Sequence, residues 1–391
     1  MNIFDASIIS ALFLIFTGAA VLATLALYAR QALLVSYILL GILFGPSVFG
    51  LVTDAELIKE VAHIGIIFLL FLLGINLPPQ KLLKLVRKTT WITGISSLLF
   101  AGVGAAAGLA LGFSFQECLI VGVTLMFSST ILGLKLLPTT VLHHQRTGEL
   151  IISILLLQDL IAIVVLLVLQ AQAQVGLPWI KISLLFLSLP GLVAFAYLFE
   201  RHVLNKVLRR FDKIHEYMFL VAIGWCLGIA ELASLLGLSY EVGAFIAGVS
   251  LATSPVSLFI AESLKPLRDF FLVMFFFALG AGFNLHILMD VLLPATVLAA
   301  VVLAIKPVIF RMLFQRSGED AARSGEIGVR LGQISEFSLL IAVLAFDLNV
   351  IGSKAAHLIE VAALLSFIAS SYLVVMRYPT PIAVSDRLRR D

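Results

Sequence analysis

The sequence predicts an all-α polytopic membrane protein with about thirteen transmembrane helices. Three observations lead there. Hydrophobic residues make up 61% of the 391 residues and charged residues only 13%, against about 25% charged in soluble domains. The apolar residues gather in runs of about twenty, the length that crosses a bilayer as a helix. The connections between the runs are too short to hold a soluble domain. A soluble core of that apolarity exceeds what a chain of this size can enclose, and disorder requires the opposite composition.

The first run, 7–28, follows MNIFDASIIS, which lacks a basic stretch and carries Asp5, so it reads as a retained helix rather than a signal peptide. The next spans are 34–51, 57–77 and 90–113. Span five, 116–135, contains a cluster of hydroxyl residues, and span six, 148–172, contains Asp159. Spans 178–199, 217–237, 240–257 and 269–286 follow. Span eleven, 290–314, contains Lys306; span twelve, 325–348, is interrupted by polar residues; span thirteen is 357–378. The transmembrane domain thus covers 1–379, and 380–391 is a short basic tail. Cys118 and Cys226 have no metal-ligand spacing and read as small buried hydrophobes.

An odd number of spans puts the termini on opposite sides. Connections on one side hold most of the 26 lysines and arginines, including Lys81, Arg87, Arg146, Arg201, Arg209, Arg210 and Arg311; those on the other hold only Lys59, Lys181 and Lys354. The positive-inside rule then places the N-terminus outside and the C-terminus in the cytoplasm, in a compact build suited to a bacterial inner membrane.

Ionisable groups inside a span are costly, so each is a candidate for function. Asp159 lies mid-span in SILLLQDLIAIVVLL with no basic neighbour in sequence. Gln158 precedes it and offers an amide oxygen without titrating. Lys306 precedes Pro307, which disfavours α geometry before it and predicts a local kink. Lys306 either pairs with Asp159 or extends to the inner surface. Ser128, Ser129 and Thr130 either serve a broken helix or allow close helix packing. Gln333, Ser335 and Glu336 interrupt span twelve; Glu336 reads as a packing group, a second titrating group or a partner for Arg330. Glu60, His63, Glu231, Glu241, His357 and Glu360 read as interfacial or funnel-lining. His143 and His144 read as a solvated loop pair that could sense pH.

The interrupted spans, five and twelve, are each fifth in a six-span block, 7–172 and 217–378, with 178–199 as the linking helix. Blocks separated by one helix have inverted orientation. Broken helices at matching positions of inverted repeats point to a transporter's mid-membrane site.

These residues resemble Kef-type potassium–proton antiporters, in the second family of monovalent cation:proton antiporters. The resemblance rests on the order of GPSVFGLVTDAELIKEVAHIGIIFLLFLLGINL at 45–77, FSST at 127–130, LLQDLIAI at 156–163, LSYEVGAFIAGVSLA at 238–252 and LGQISEF at 331–337. It implies a sodium/proton-antiporter-like fold, a homodimer in the lipid bilayer, and a core of crossed broken helices. It implies that Asp159 carries the cation or the proton with Gln158 as partner, and that Ser128, Ser129 and Thr130 line the site. It matches Lys306 to the family's membrane lysine, and Glu336 to the glutamate of the second broken helix. Two departures matter. Kef proteins carry a regulatory cytosolic nucleotide-binding domain that these residues do not include, and 253–269 reads TSPVSLFIAESLKPLRD in place of the family's acidic HALESD loop. The resemblance therefore does not carry glutathione-adduct regulation to this chain.

The expected function is electroneutral exchange of a monovalent cation, K+ before Na+, for H+ at one aspartate. The alternatives are a Na+/H+ antiporter of the same fold, a cation channel and an organic-anion carrier. No filter like TVGYG supports a channel, and Asp159 opposes an anion carrier. No nucleophile–base pair, metal cluster or phosphate loop points to an enzyme, a resident cofactor or a nucleic-acid partner.

Overall fold

The computed structural model describes residues 8–29, 31, 33–52, 55–75, 79–137, 146–173, 179–211, 213–238, 240–282 and 285–380. His143, His144 and the tail from 381 onward lie outside the described residues. The described secondary structure is helical: α1 Ile8–Tyr28, α2 Leu33–Phe44, α3 Ala55–Ile75, α4 Pro79–Ala110, α5 Phe115–Leu125, α6 Thr130–Lys135, α7 Arg146–Ala173, α8 Trp179–Phe199, α9 Asn205–Arg210, α10 His215–Leu235, α11 Tyr240–Leu251, α12 Ser257–Ala281, α13 Leu285–Arg316, α14 Ala321–Arg330, α15 Glu336–Asp347 and α16 Ser353–Arg377.

Each predicted span has a helical counterpart, with three instructive differences. Spans five and twelve are each split in two, into α5 and α6 and into α14 and α15. Span ten begins earlier than expected, because α12 carries a charged first half, Glu262, Lys265, Arg268 and Asp269, that hydropathy alone assigns to a loop. Arg201, Lys206, Arg209 and Arg210 are helical too, since α8 continues through a π-helical turn, Glu200–Leu204, into α9. Among the described residues, six helices are long and apolar enough to cross a membrane, within 9–28, 89–110, 146–166, 215–235, 287–316 and 353–377.

The chain divides into two compact units interleaved in sequence. The first comprises 1–18, 40–84 and 170–282. Its helices touch backbone to backbone at glycines. A Cβ on Gly248 would stand 2.1 Å from the Phe71 carbonyl oxygen, and one on Gly74 2.5 Å from that of Phe245, so α3 and α11 meet where no side chain fits. Phe68 stacks on Phe271 at 5.5 Å, fastening α3 to α12. Trp225 of α10 donates its indole N–H to the Ala247 carbonyl of α11 at 3.2 Å.

The second unit comprises 19–39, 85–169 and 283–391 and contains both split helices. Its apolar core joins Phe100 of α4, Ile151 and Ile154 of α7, Phe310 and Phe314 of α13, and Ile327 of α14. Outside the spans, Glu319, in the turn between α13 and α14, accepts from Arg146 Nε at 2.8 Å and from Arg323 Nη1 at 2.9 Å. Burial pushes its carboxyl upward, but the hydrogen bonds and charges of Arg146 and Arg323 outweigh that and hold it below the ordinary glutamate value. A depressed carboxyl stabilises the fold above its unfolded value, about 4.3, and that stability is lost as pH falls through the folded value. Glu319→Gln is expected to lower the melting temperature at pH 7 by a few degrees and to flatten its decline below pH ~4, read by thermal unfolding in detergent across pH.

Candidate functional site

The first break, Met126–Ser129, needs no proline. Serine hydroxyls compete with the helix for backbone groups, and both serines here do so. Ser129 caps α6, its hydroxyl accepting from the Leu132 N–H at 3.0 Å. Ser128 donates its hydroxyl to the Leu331 carbonyl, in the other break, at 2.8 Å. The second break, Leu331–Ser335, ends in the same way: Ser335 caps α15, accepting from the Phe337 N–H at 3.1 Å. Gln333 Nε2 crosses back to the Ser129 carbonyl at 3.3 Å, and Ser338 donates to the Thr124 carbonyl at 2.6 Å. The two breaks are therefore bonded directly to each other, within one unit, by side chains that each break supplies.

Gln158 and Asp159 reach the first break from α7 and act on different parts of it. The Gln158 amide takes both polar ends of the gap: Oε1 accepts from the Ser128 N–H at 2.9 Å and Nε2 donates to the Met126 carbonyl at 3.0 Å. Gln158 therefore braces the interrupted backbone, a role that spacing alone did not reveal. Asp159 is 2% exposed and meets Thr130, whose hydroxyl stands 3.2 Å from both carboxylate oxygens. Thr130 is the first residue of α6, so Asp159 sits at the N-terminal, electropositive end of a half-helix. Glu336, the first residue of α15, is also buried.

Lys306 takes the opposite ends. Its ammonium donates to the Phe127 carbonyl at 2.6 Å, the Gln333 carbonyl at 3.0 Å and the Ser128 hydroxyl at 3.3 Å, and lies 5.1 Å from the centre of the Phe100 ring. Three acceptors match the three donors of a protonated lysine. Phe127 and Gln333 follow the C-terminal ends of α5 and α14, where carbonyls lack helical partners. The approach is made possible by Gly328: a Cβ there would stand 2.6 Å from the Pro307 carbonyl oxygen.

One expectation about Lys306 is corrected: among the described residues no ion pair joins it to Asp159, and half-helix carbonyls, which hydropathy cannot show, occupy it instead. Helix α13 continues through Pro294 and Pro307. Arg330, considered as a partner for Glu336, instead meets Glu326 at 2.9 Å. His63 is paired with Glu241 at 2.7 Å in the first unit, and His357 with a buried Glu360 at 2.8 Å in the second. Cys118 and Cys226 are free and buried, as expected.

The site is thus a gap between four half-helix ends. Asp159 stands at the N-terminal end of α6, and Lys306 satisfies carbonyls beyond the C-terminal ends of α5 and α14. The arrangement brings the Asp159 carboxylate and the Thr130 hydroxyl together at the start of α6, while the carbonyls of Met126, Phe127, Ser129, Leu331 and Gln333 are taken by side-chain donors.

A family model described as sodium/hydrogen exchanger, transmembrane, matches residues 11–376. The glutathione-regulated potassium-efflux system proteins KefC of Salmonella arizonae and Salmonella typhi are each 29% identical over 368 residues, covering 93% of this chain and 59% of theirs. The chain thus spans 59% of the length of these curated relatives. The sodium proton antiporter MjNhaP1 from Methanocaldococcus jannaschii superposes with a TM-score of 0.71 over 95% of this chain and 96% of that one, at 17% identity, which shows a shared fold.

Proposed function

The chain belongs to the transmembrane sodium/hydrogen exchanger family, and from that premise we propose that it is a secondary antiporter exchanging K+ for H+ at Asp159. One observation carries the reading: a buried carboxylate met by the Thr130 hydroxyl, at the mouth of a broken helix, in the unit that contains both breaks. A carboxylate so placed binds a proton or a dehydrated cation, but not both. With Gln158 in place of a second acid beside it, one proton exchanges for one cation, and the cycle moves no net charge. Lys306 holds the breaks together instead of competing for Asp159. Potassium is preferred over sodium because the KefC proteins are named for potassium efflux. The working protein is a homodimer in a bacterial inner membrane, N-terminus outside, with inverted repeats 7–172 and 217–378 about the link 178–199. A regulatory domain outside these residues fits relatives of greater length. Access alternates by rearrangement of the broken-helix unit.

Proteoliposomes with an imposed pH gradient test this. Added K+ is expected to dissipate the gradient at a rate that saturates with K+ and is unchanged by an imposed membrane potential. Dissipation by Na+ alone would overturn the ion while keeping the mechanism. Flux that does not saturate and carries current would make the protein a channel.

A further inference from the structure

Arg330 is among the largest side chains in the molecule with almost no exposure, and the cycle described above does not use it. Its guanidinium joins three separate pieces of chain. Nε bonds Glu326 Oε1 at 2.9 Å, one turn back on α14. Nη1 donates to the Leu136 carbonyl at 2.9 Å, immediately past the C-terminal end of α6. Nη2 donates to the Pro379 carbonyl at 2.8 Å, just beyond α16, and the Tyr378 ring lies 5.6 Å from the guanidinium carbon. A planar fork reaches three acceptors in fixed directions, which a lysine's single ammonium does not.

The position of Leu136 gives this contact its consequence. The half-helix α6 has only six residues. Its first residue, Thr130, holds Asp159, and its far end is held by Arg330. Gly133 and Leu136 of this segment lie beside Arg330, Gln333 and Ser370, all closely buried, so the tether at Leu136 sits within a packed flank of α6.

We propose that Arg330 is a positioning residue for the cation site: it clamps the far end of α6 to the segment leaving α16, and so sets the affinity at Asp159. The seating of Tyr378 and Pro379 is then part of the site's geometry, although neither touches it. The proposal rests on the antiport reading above. It places a control point for cation affinity where the chain emerges from its last helix.

The test measures K+-coupled proton flux in proteoliposomes for the wild type, Arg330→Gln, Arg330→Lys and Tyr378→Leu, separating the apparent KM for K+ from the maximal rate per folded protein. Losing a charge-assisted bond to a buried carbonyl is worth about a tenfold rise in KM in Arg330→Gln, with the maximal rate within about twofold. Arg330→Lys is expected to recover part of the affinity, and Tyr378→Leu, which keeps the arginine, to raise KM by about threefold. Should Arg330→Gln fail to fold, Arg330→Lys and Tyr378→Leu still decide. A residue of purely structural importance would reduce the folded yield and leave KM unchanged in every folded variant, and that result overturns the proposal. If the wild type itself shows no K+-coupled flux, the antiport reading fails first and this one with it.

Discussion

Asp159→Asn is expected to reduce K+-coupled proton flux to the level of protein-free liposomes while leaving the protein folded. Asparagine keeps the shape of the side chain and an oxygen for the Thr130 hydroxyl, which now stands 3.2 Å from both carboxylate oxygens. It cannot bind a proton in the transport range or balance the charge of a dehydrated cation. Burying a carboxylate is costly, so the neutral variant is expected to melt no lower than wild type, within about 1 kcal/mol. Fluorescence-detected thermal unfolding beside the flux assay separates the two effects. A variant that retains coupled flux would remove Asp159 from the mechanism.

Substituting Lys306 is expected to act differently, through stability as well as transport. Lys306→Met keeps the bulk of the stem but leaves the Phe127 and Gln333 carbonyls without the donor that now reaches both. Each buried polar group left unpaired costs about 1–3 kcal/mol, so the variant is expected to lose roughly 2–6 kcal/mol. Lys306→Gln supplies two N–H donors and is expected to recover part of that loss. If Lys306 were instead the counter-ion of Asp159, Lys306→Met would be rescued by Asp159→Asn in the double variant. No such rescue is expected here, because the lysine's partners are backbone carbonyls. The melting temperatures of the four proteins decide between these outcomes.

What was legible in the sequence follows from what each signal measures. Hydropathy registers burial in lipid, so it located the spans and the mid-span position of Asp159 and Lys306. It registered spans five and twelve as interrupted, because serine, glycine and glutamine lower the apolar average at the breaks. It could not show which backbone groups those residues free. The pairing of Lys306 with Phe127 and Gln333, and the bracing of Ser128 and Met126 by Gln158, depend on helices far apart in the chain meeting at specific carbonyls. Charge-based reasoning paired the base with the acid because side-chain charge is all a sequence prints, whereas the ends of half-helices carry charge that no residue letter records. The charged first half of α12 was missed for a related reason, since a helix that leaves the bilayer loses its apolar signature without losing its backbone hydrogen bonds.

The claim that one carboxylate binds proton and cation in alternation is tested most directly by proton release. Purified protein in weakly buffered detergent solution is titrated with K+ at constant ionic strength while pH is followed with an indicator dye, and bound K+ is measured in parallel. About one proton released per K+ bound is expected from a single exchanging carboxylate, with none from Asp159→Asn. Binding of K+ without proton release, or equal release from Asp159→Asn, would contradict the account.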